Sequence, residues 1–174
     1  GEPFLNFDLL IDLVAIAQKL SVKPTFVETN CFWSISDETV RNKLTKLKEL
    51  GLDGILISVN PFILEYVPYE RTRRTIKISN DVFNNNVVIY QELFRKQFDK
   101  YNFNGIMPFE KYWQNVGTNI LQFIELIPMG RSCYKLAHMF KKYPAAKFFD
   151  ESCMEDLTRP WHIHVDNYCN YISG

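Results

Sequence analysis

Apolar residues recur at helical spacing in the first part of the chain, and polar residues mark its boundaries. After Asn6, a good helix N-cap, apolar side chains follow every three or four positions. They are Leu9, Leu10, Leu13, Val14, Ala17 and Leu20. Asp8 and Asp12 lie early and Lys19 lies late, which is the charge order that a helix dipole favours. The pattern predicts one amphipathic helix and then a short strand over residues 25–29.

The same order of helix and strand follows once more along the chain. Ser36 or Asp37 is predicted to cap a second helix, which ends at Gly51, where a left-handed residue belongs. A continuous apolar run over residues 54–59 then predicts a strand that is buried on both faces. This repeat, at a period of about 30 residues, indicates βα units around a parallel sheet.

The later part of the chain continues this pattern more loosely. Further strands are predicted over residues 87–90, 122–127 and 161–166, and further helices over 70–84, 109–119 and 132–143. The sequence therefore predicts an α/β fold, as a partial TIM-like (β/α) barrel of about six units whose first strand is missing before Gly1. A flat, doubly wound sheet is the alternative. Because no linker-like tract interrupts residues 1–174, we expect a single domain.

Composition narrows the class of protein. The 174 residues carry no net formal charge, so nothing electrostatic favours nucleic acid or an anionic membrane as a partner. No apolar run approaches the ~20 residues of a membrane span, and no signal peptide is visible. The four cysteines lack the spacing of a zinc site, and a disulfide framework is not expected in a chain with this much core. These observations predict a cytoplasmic protein with reduced thiols.

Polar residues directly follow the predicted strands, at the edge where parallel α/β folds collect functional groups. Asn30 follows the first strand, and Ser58 and Asn60 lie at the end of the second. Arg131 lies beyond the strand predicted over residues 122–127, and arginine can bind a carboxylate or phosphate through a bidentate fork. We expect these side chains to lie in a polar cleft.

The segment Gly1-Glu2-Pro3 predicts a ligand-binding loop in front of the first helix. Glycine lets the backbone approach a ligand closely, Glu2 supplies a carboxylate, and proline fixes the entry into the helix.

Two imidazoles and a carboxylate alternate along the last predicted strand. His162, His164 and Asp166 would share one face of that strand and could converge on a metal ion. Because the only other histidine, His138, lies in a predicted helix, a structural or substrate-contacting role for the pair is the competing interpretation.

Taken together, these segments resemble radical S-adenosylmethionine (radical SAM) proteins. Residues 1–3 are similar to the end of the family's GGEP motif, and residues 29–33 to its TN-G-W strand end. Residues 57–68 are similar to an S-V-D-x-x-H-x-x-F-V-P segment, and residues 128–131 to a PMGRA element. Residues 161–171 are similar to a W-H-x-H-x-D-x-Y-G-N-Y strand and turn, so the resemblance covers nearly the whole chain.

The resemblance implies the S-adenosylmethionine-binding and substrate-cleft portion of an enzyme whose small-molecule or peptide substrate is unknown. In that family an iron–sulfur (4Fe-4S) cluster, reduced by a donor such as flavodoxin or ferredoxin, passes one electron to the sulfonium. The 5′-deoxyadenosyl radical then abstracts a hydrogen atom from the substrate. The resemblance assigns Glu2 to the methionine amine, Ser58 to the ribose and Arg131 to the carboxylate. Asn30 and Asn60 are further polar groups of the cofactor cleft.

The chain departs from the family pattern at several positions. The CxxxCxxC loop that holds the cluster is absent from these residues, so its ligands are expected upstream of Gly1 and this stretch alone is expected to be inactive. Cys31 and Cys169 stand where the family usually has glycine, and Ile63 or Leu64 stands where it often has histidine.

Two other functions stay open for this chain. One is a metal-dependent barrel hydrolase that uses His162, His164 and Asp166. The other is a non-catalytic barrel that has kept the fold and lost the cluster.

Overall fold

The computed structural model describes residues 2–119, 134, 136–152, 163–165 and 168–173 of the chain. Backbone contacts divide the chain into two compact units, Gly1–Leu126 and Ile127–Gly174. No helix among these residues combines the length and the apolar character that crossing a bilayer requires.

Helices and strands alternate through the first unit. A short 3-10 turn over Pro3–Leu5 precedes the first helix. The helices are α1 (Phe7–Lys19), α2 (Asp37–Glu49), α3 (Pro61–Leu64), α4 (Tyr69–Val82), α5 (Glu92–Lys100) and α6 (Phe109–Val116). The strands are β1 (Phe26–Thr29), β2 (Gly54–Ser58) and β3 (Val87–Tyr90).

The start and end signals of the first two helices act as the sequence predicts. The Asn6 side chain accepts a hydrogen bond from the Leu9 amide at 3.2 Å, and the Ser36 hydroxyl accepts one from the Thr39 amide at 3.1 Å. Gly51 follows α2 with φ +100°, in the region where glycine is favoured. The predicted helices at α1, α2, α4 and α6 and the strands predicted at β1, β2 and β3 are confirmed, whereas α3 and α5 were not predicted.

The three strands form one parallel sheet in the order β1-β2-β3. Thr29 is level with Ile57, and Ser58 is level with Tyr90. One face of the sheet joins the hydrophobic core, to which α1, α2, α4, α5 and α6 also contribute. The core members from the strands are Val27, Ile55 and Ile57, and those from the first two helices are Leu10, Val14, Val40, Leu44 and Leu47.

The opposite face of the sheet is largely open. Phe26, Val88 and Tyr90 on this face are 39%, 46% and 50% exposed. Glu28 lies on the same face as Phe26, because side chains alternate between the faces along a strand, and it is also exposed.

The prediction of a TIM-like barrel of about six units is wrong. The described part of the first unit holds an open parallel sheet of three strands, and α5 and α6 follow β3 with no further strand between them. A barrel needs every strand to pair on both sides, whereas within the described residues β1 and β3 each pair only with β2. The strand predicted over residues 122–127 lies outside the described residues.

The second unit contains an antiparallel pair of short strands. β4 (Ile163–Val165) pairs with β5 (Tyr171–Ser173), so His164 is level with Ile172. The sequence placed residues 163–165 in a parallel barrel strand, and this part of the prediction is wrong because their partner is a nearby segment. The helix predicted over 132–143 is also wrong in its second half, where a 3-10 turn spans Ala137–Met139 and Pro144 disfavours further helix.

Candidate functional site

Polar side chains from the ends of all three parallel strands line one cleft of about 310 Å³. Parallel strands present their carboxyl ends at the same edge of a sheet, and this edge is where α/β proteins commonly bind ligands. The lining residues are Glu28, Thr29, Asn30, Ser58, Asn60, Ile63 and Tyr90. The cleft therefore brings together Asn30, Ser58 and Asn60, three of the residues that the sequence singled out.

A carboxylate and a hydroxyl meet on the open face of the sheet at this cleft. The Ser58 hydroxyl donates a hydrogen bond to Oε1 of Glu28. Ser58 is level with Tyr90 on the neighbouring strand, so all three side chains belong to the same face. Among the described residues no hydrogen bond occupies Oε2 of Glu28, and the cleft therefore presents a carboxylate oxygen that can accept a further hydrogen bond.

Glu2 fixes the edge of this cleft without lining it. Its Oε1 accepts hydrogen bonds from the Thr29 hydroxyl at 2.9 Å and from the Phe4 amide at 3.3 Å. Its Oε2 accepts the backbone N–H of Asn30 at 2.8 Å. Three donors thus hold one carboxylate, and they join the turn before α1 to the end of β1.

The two asparagines of the cleft use their side-chain oxygens for local turns. Oδ1 of Asn30 accepts the Phe32 amide at 3.0 Å, and Oδ1 of Asn60 accepts the Ile63 amide at 3.0 Å as the N-cap of α3. In both residues the Nδ2 group has no hydrogen-bond partner among the residues that the structure describes. Each asparagine can therefore donate to a ligand while its oxygen holds the backbone.

Two arginines of α4 hold the loop that follows Asn30. Arg71 donates to the carbonyl oxygen of Phe32. Arg74 donates to the carbonyl of Ser34 at 2.5 Å and pairs with the carboxylate of Asp37 at 2.9 Å. The bonds to Phe32 and Ser34 satisfy backbone carbonyls that lie outside the helices and strands, and they fix the loop that follows β1.

Cys31 is buried within this loop and is not a reactive thiol. The pKa of its thiol is raised to about 12, chiefly by burial and to a smaller extent by the nearby Glu2 carboxylate, while a hydrogen bond with Thr75 acts in the opposite direction. Since a metal ligand or nucleophile must be a thiolate, Cys31 is unsuited to either task.

The expectation of a metal-binding site is wrong for the part of the chain that is described. There, no group of three or more His, Cys, Asp or Glu side chains lies close enough to hold a metal ion. His162, Asp166 and Arg131 lie outside the described residues, and the backbone of His164 lies in β4. The hydrolase alternative depends on His162, His164 and Asp166, and two of these three residues lie outside the described part of the chain.

Glu28 and Tyr90 are cleft residues that the sequence analysis missed. The sequence analysis considered polar residues at or just after the strand ends. Glu28 comes before Thr29 within β1, and Tyr90 is the last residue of β3. The alternation of side chains was the available signal, since it places Glu28 and Ser58 on the face opposite to Thr29 and Ile57.

No protein-family model, curated protein or solved structure matches this chain.

Proposed function

We propose that the cleft at the carboxyl edge of the sheet binds S-adenosylmethionine, as part of a radical SAM enzyme. The observation that carries this proposal is the convergence of Asn30, Ser58 and Asn60 on one cleft, together with the Glu28 carboxylate. The volume of about 310 Å³ lies at the lower end of the ~300–1,000 Å³ that is common for small-molecule sites.

The polar groups of the cleft suit the functional groups of this cofactor. The Glu28 carboxylate and the Ser58 hydroxyl, whose one proton is donated to Glu28, can both accept hydrogen bonds from a ribose diol. The two free Nδ2 groups of Asn30 and Asn60 are donors that suit the carboxylate of the methionine moiety. The half-exposed ring of Tyr90 offers an apolar face to adenine.

At two positions where the chain departs from the family pattern, the backbone conformation supports the resemblance. Cys31 has φ 65° and Cys169 has φ 63°, in the left-handed region that few non-glycine residues adopt. The family usually has glycine at both positions, and glycine adopts this conformation at no steric cost.

The contacts of Glu2 favour a positioning role over contact with the cofactor. Three donors already engage its carboxylate, which fixes Thr29 and Asn30 at the cleft edge. When bound, a reduced cluster supplies the electron for cleavage in this family, but the described residues offer no three-thiolate site. We therefore assign these residues the binding and orientation of S-adenosylmethionine and no redox step.

Equilibrium binding of S-adenosylmethionine to the chain, measured by isothermal titration calorimetry, tests this proposal. We expect saturable binding, and Glu28→Gln and Ser58→Ala should each weaken it about tenfold, because each removes one polar contact. Glu49→Gln, which changes an exposed carboxylate at the end of α2, is the matched control and should bind like the unaltered chain. Absence of binding at millimolar concentration, or equal affinity in all variants, would overturn the proposal.

A further inference from the structure

Helix α1 carries an exposed apolar stripe in addition to the face that it buries. Its buried side chains include Leu10 and Val14. The exposed stripe consists of Leu9, Leu13, Ile16 and the C-cap residue Leu20, whose exposed fractions are 51%, 54%, 51% and 68%. A helix that is apolar on two faces normally has a neighbour on each of them.

The spacing of this stripe is that of a helix-pairing seam. Its members are four, three and four positions apart, which is the alternation of the a and d positions in a heptad repeat. The stripe could therefore pack along the length of a second helix, with Leu13 and Ile16 at the centre of the contact.

Two opposite charges flank the seam on one side. Asp12 directly precedes Leu13, and Lys19 directly precedes Leu20, so both occupy the g position of the heptad. Both side chains are exposed. Charges at e and g positions determine which helix is accepted as a partner and in which direction it runs.

We propose that α1 pairs with α1 of a second copy of this chain, antiparallel and about a two-fold axis. In an antiparallel pair the g flank of one helix faces the g flank of the other. Asp12 would then face Lys19 of the partner subunit, and Lys19 would face Asp12 of the partner subunit. The same arrangement puts Leu13 against Ile16 of the partner subunit and Leu9 against Leu20 of the partner subunit.

The charge pattern favours this arrangement over a parallel pair. In a parallel pair the g flank faces the e positions, which are Leu10 and Ala17 here, so neither charge would find a partner. The antiparallel contact satisfies both charges and uses the same surface on both copies, as a two-fold interface requires. Because the seam spans fewer than two heptads, the dimer is expected to be weak and concentration-dependent.

Sedimentation equilibrium at several protein concentrations tests this pairing through the charges. We expect a reversible monomer–dimer equilibrium for the unaltered chain. Asp12→Lys alone and Lys19→Asp alone each create two like-charged contacts, and each should weaken the dimer roughly 5- to 20-fold. The double variant D12K/K19D restores both pairs and should recover the original affinity. A mixture of the two single variants should form a heterodimer that is tighter than either homodimer.

Two controls separate the seam from general effects of charge or unfolding. Glu49→Lys changes an exposed charge on α2 and should leave the dimer unchanged. Leu13→Glu should abolish the dimer while the circular dichroism spectrum stays that of the unaltered chain. A chain that stays monomeric at every concentration would overturn the proposal, since another occupant would then cover the stripe. A dimer that does not respond to the charge exchanges would overturn it as well.

Discussion

The Glu2 carboxylate accepts a 2.9 Å hydrogen bond from the hydroxyl of Thr29, a residue 27 positions further along the chain. That hydroxyl also accepts the Cys31 amide at 3.0 Å and the indole N–H of Trp33 at 2.9 Å. The Trp33 ring in turn stacks on Phe4 with ring centroids 4.0 Å apart. Polar and aromatic contacts thus join the turn before α1 to the loop after β1, and they hold the cleft edge in one conformation.

Glu2→Gln should destabilise the protein by about 1–2 kcal/mol. The amide keeps one acceptor oxygen but loses the charge that strengthens the bonds from Thr29, Asn30 and Phe4. Urea unfolding followed by tryptophan fluorescence measures the change. Glu49→Gln, on the exposed end of α2, serves as the control and should shift the free energy by less than about 0.5 kcal/mol. Equal stability of E2Q and E49Q would show that the Glu2 contacts do not hold the cleft edge.

Local sequence signals predicted local structure well. Helix periodicity, the caps Asn6 and Ser36 and the terminal Gly51 each depend on residues within one or two turns. An apolar run also predicted β2, because its burial follows from its own side chains. The alternation of helix and strand was sufficient to predict that β1, β2 and β3 are parallel.

The number of strands and the partners of the cleft residues could not be obtained in this way. A run such as residues 163–165 predicts a strand but not which segment pairs with it, and here the partner is β5 instead of a barrel neighbour. The bonds of Glu2 to Thr29 and of Glu28 to Ser58 each span at least 27 positions, and no local pattern encodes them. Of the residues that the sequence singled out, Asn30, Ser58 and Asn60 line the cleft, but their hydrogen bonds could not be predicted.

Two substitutions of Asn60 should separate its structural role from its proposed role in ligand binding. Aspartate caps a helix as well as asparagine does, so Asn60→Asp should keep the free energy of unfolding within about 0.5 kcal/mol. Asn60→Ala loses the bond to the Ile63 amide and should cost about 1 kcal/mol. Both variants lack Nδ2 and should bind S-adenosylmethionine more weakly. Urea unfolding and calorimetry on the same samples measure both effects, and unchanged affinity in N60D would limit Asn60 to the cap.

Cys31 should resist alkylation in the folded protein. Burial raises the pKa of its thiol to about 12, whereas a free cysteine has a pKa of about 8.5. At pH 8 the thiolate fraction in the folded state is therefore roughly a thousandfold smaller than in the unfolded chain. Iodoacetamide labelling with peptide mass spectrometry, in buffer and in guanidinium chloride, measures this difference. The exposed Cys169 is the internal control, and labelling of Cys31 at the same rate as Cys169 in buffer would contradict the burial.

Asp53, which directly precedes β2, accepts two hydrogen bonds from Thr25, which directly precedes β1. Its Oδ2 accepts the Thr25 amide at 2.8 Å and the Thr25 hydroxyl at 3.1 Å. The pKa of this carboxyl is lowered chiefly by the bond from the Thr25 amide and, to a smaller extent, by the Thr25 hydroxyl and the charges of Lys23 and Lys48. The native state therefore favours the ionised form of Asp53 more than the unfolded chain does.

The contribution of Asp53 to stability should consequently disappear in acid. It is fully present above the unfolded pKa of about 3.9 and is lost as the pH falls through the lower pKa of the folded state. The difference in free energy of unfolding between the unaltered chain and Asp53→Asn should be constant between about pH 5 and 8 and should shrink below about pH 4. Urea titrations at half-unit pH intervals measure this difference. Asp150→Asn, which removes an exposed carboxylate, controls for the general effect of net charge. A difference for D53N that persists unchanged to pH 3 would show that the ionised carboxylate of Asp53 is not what holds Thr25.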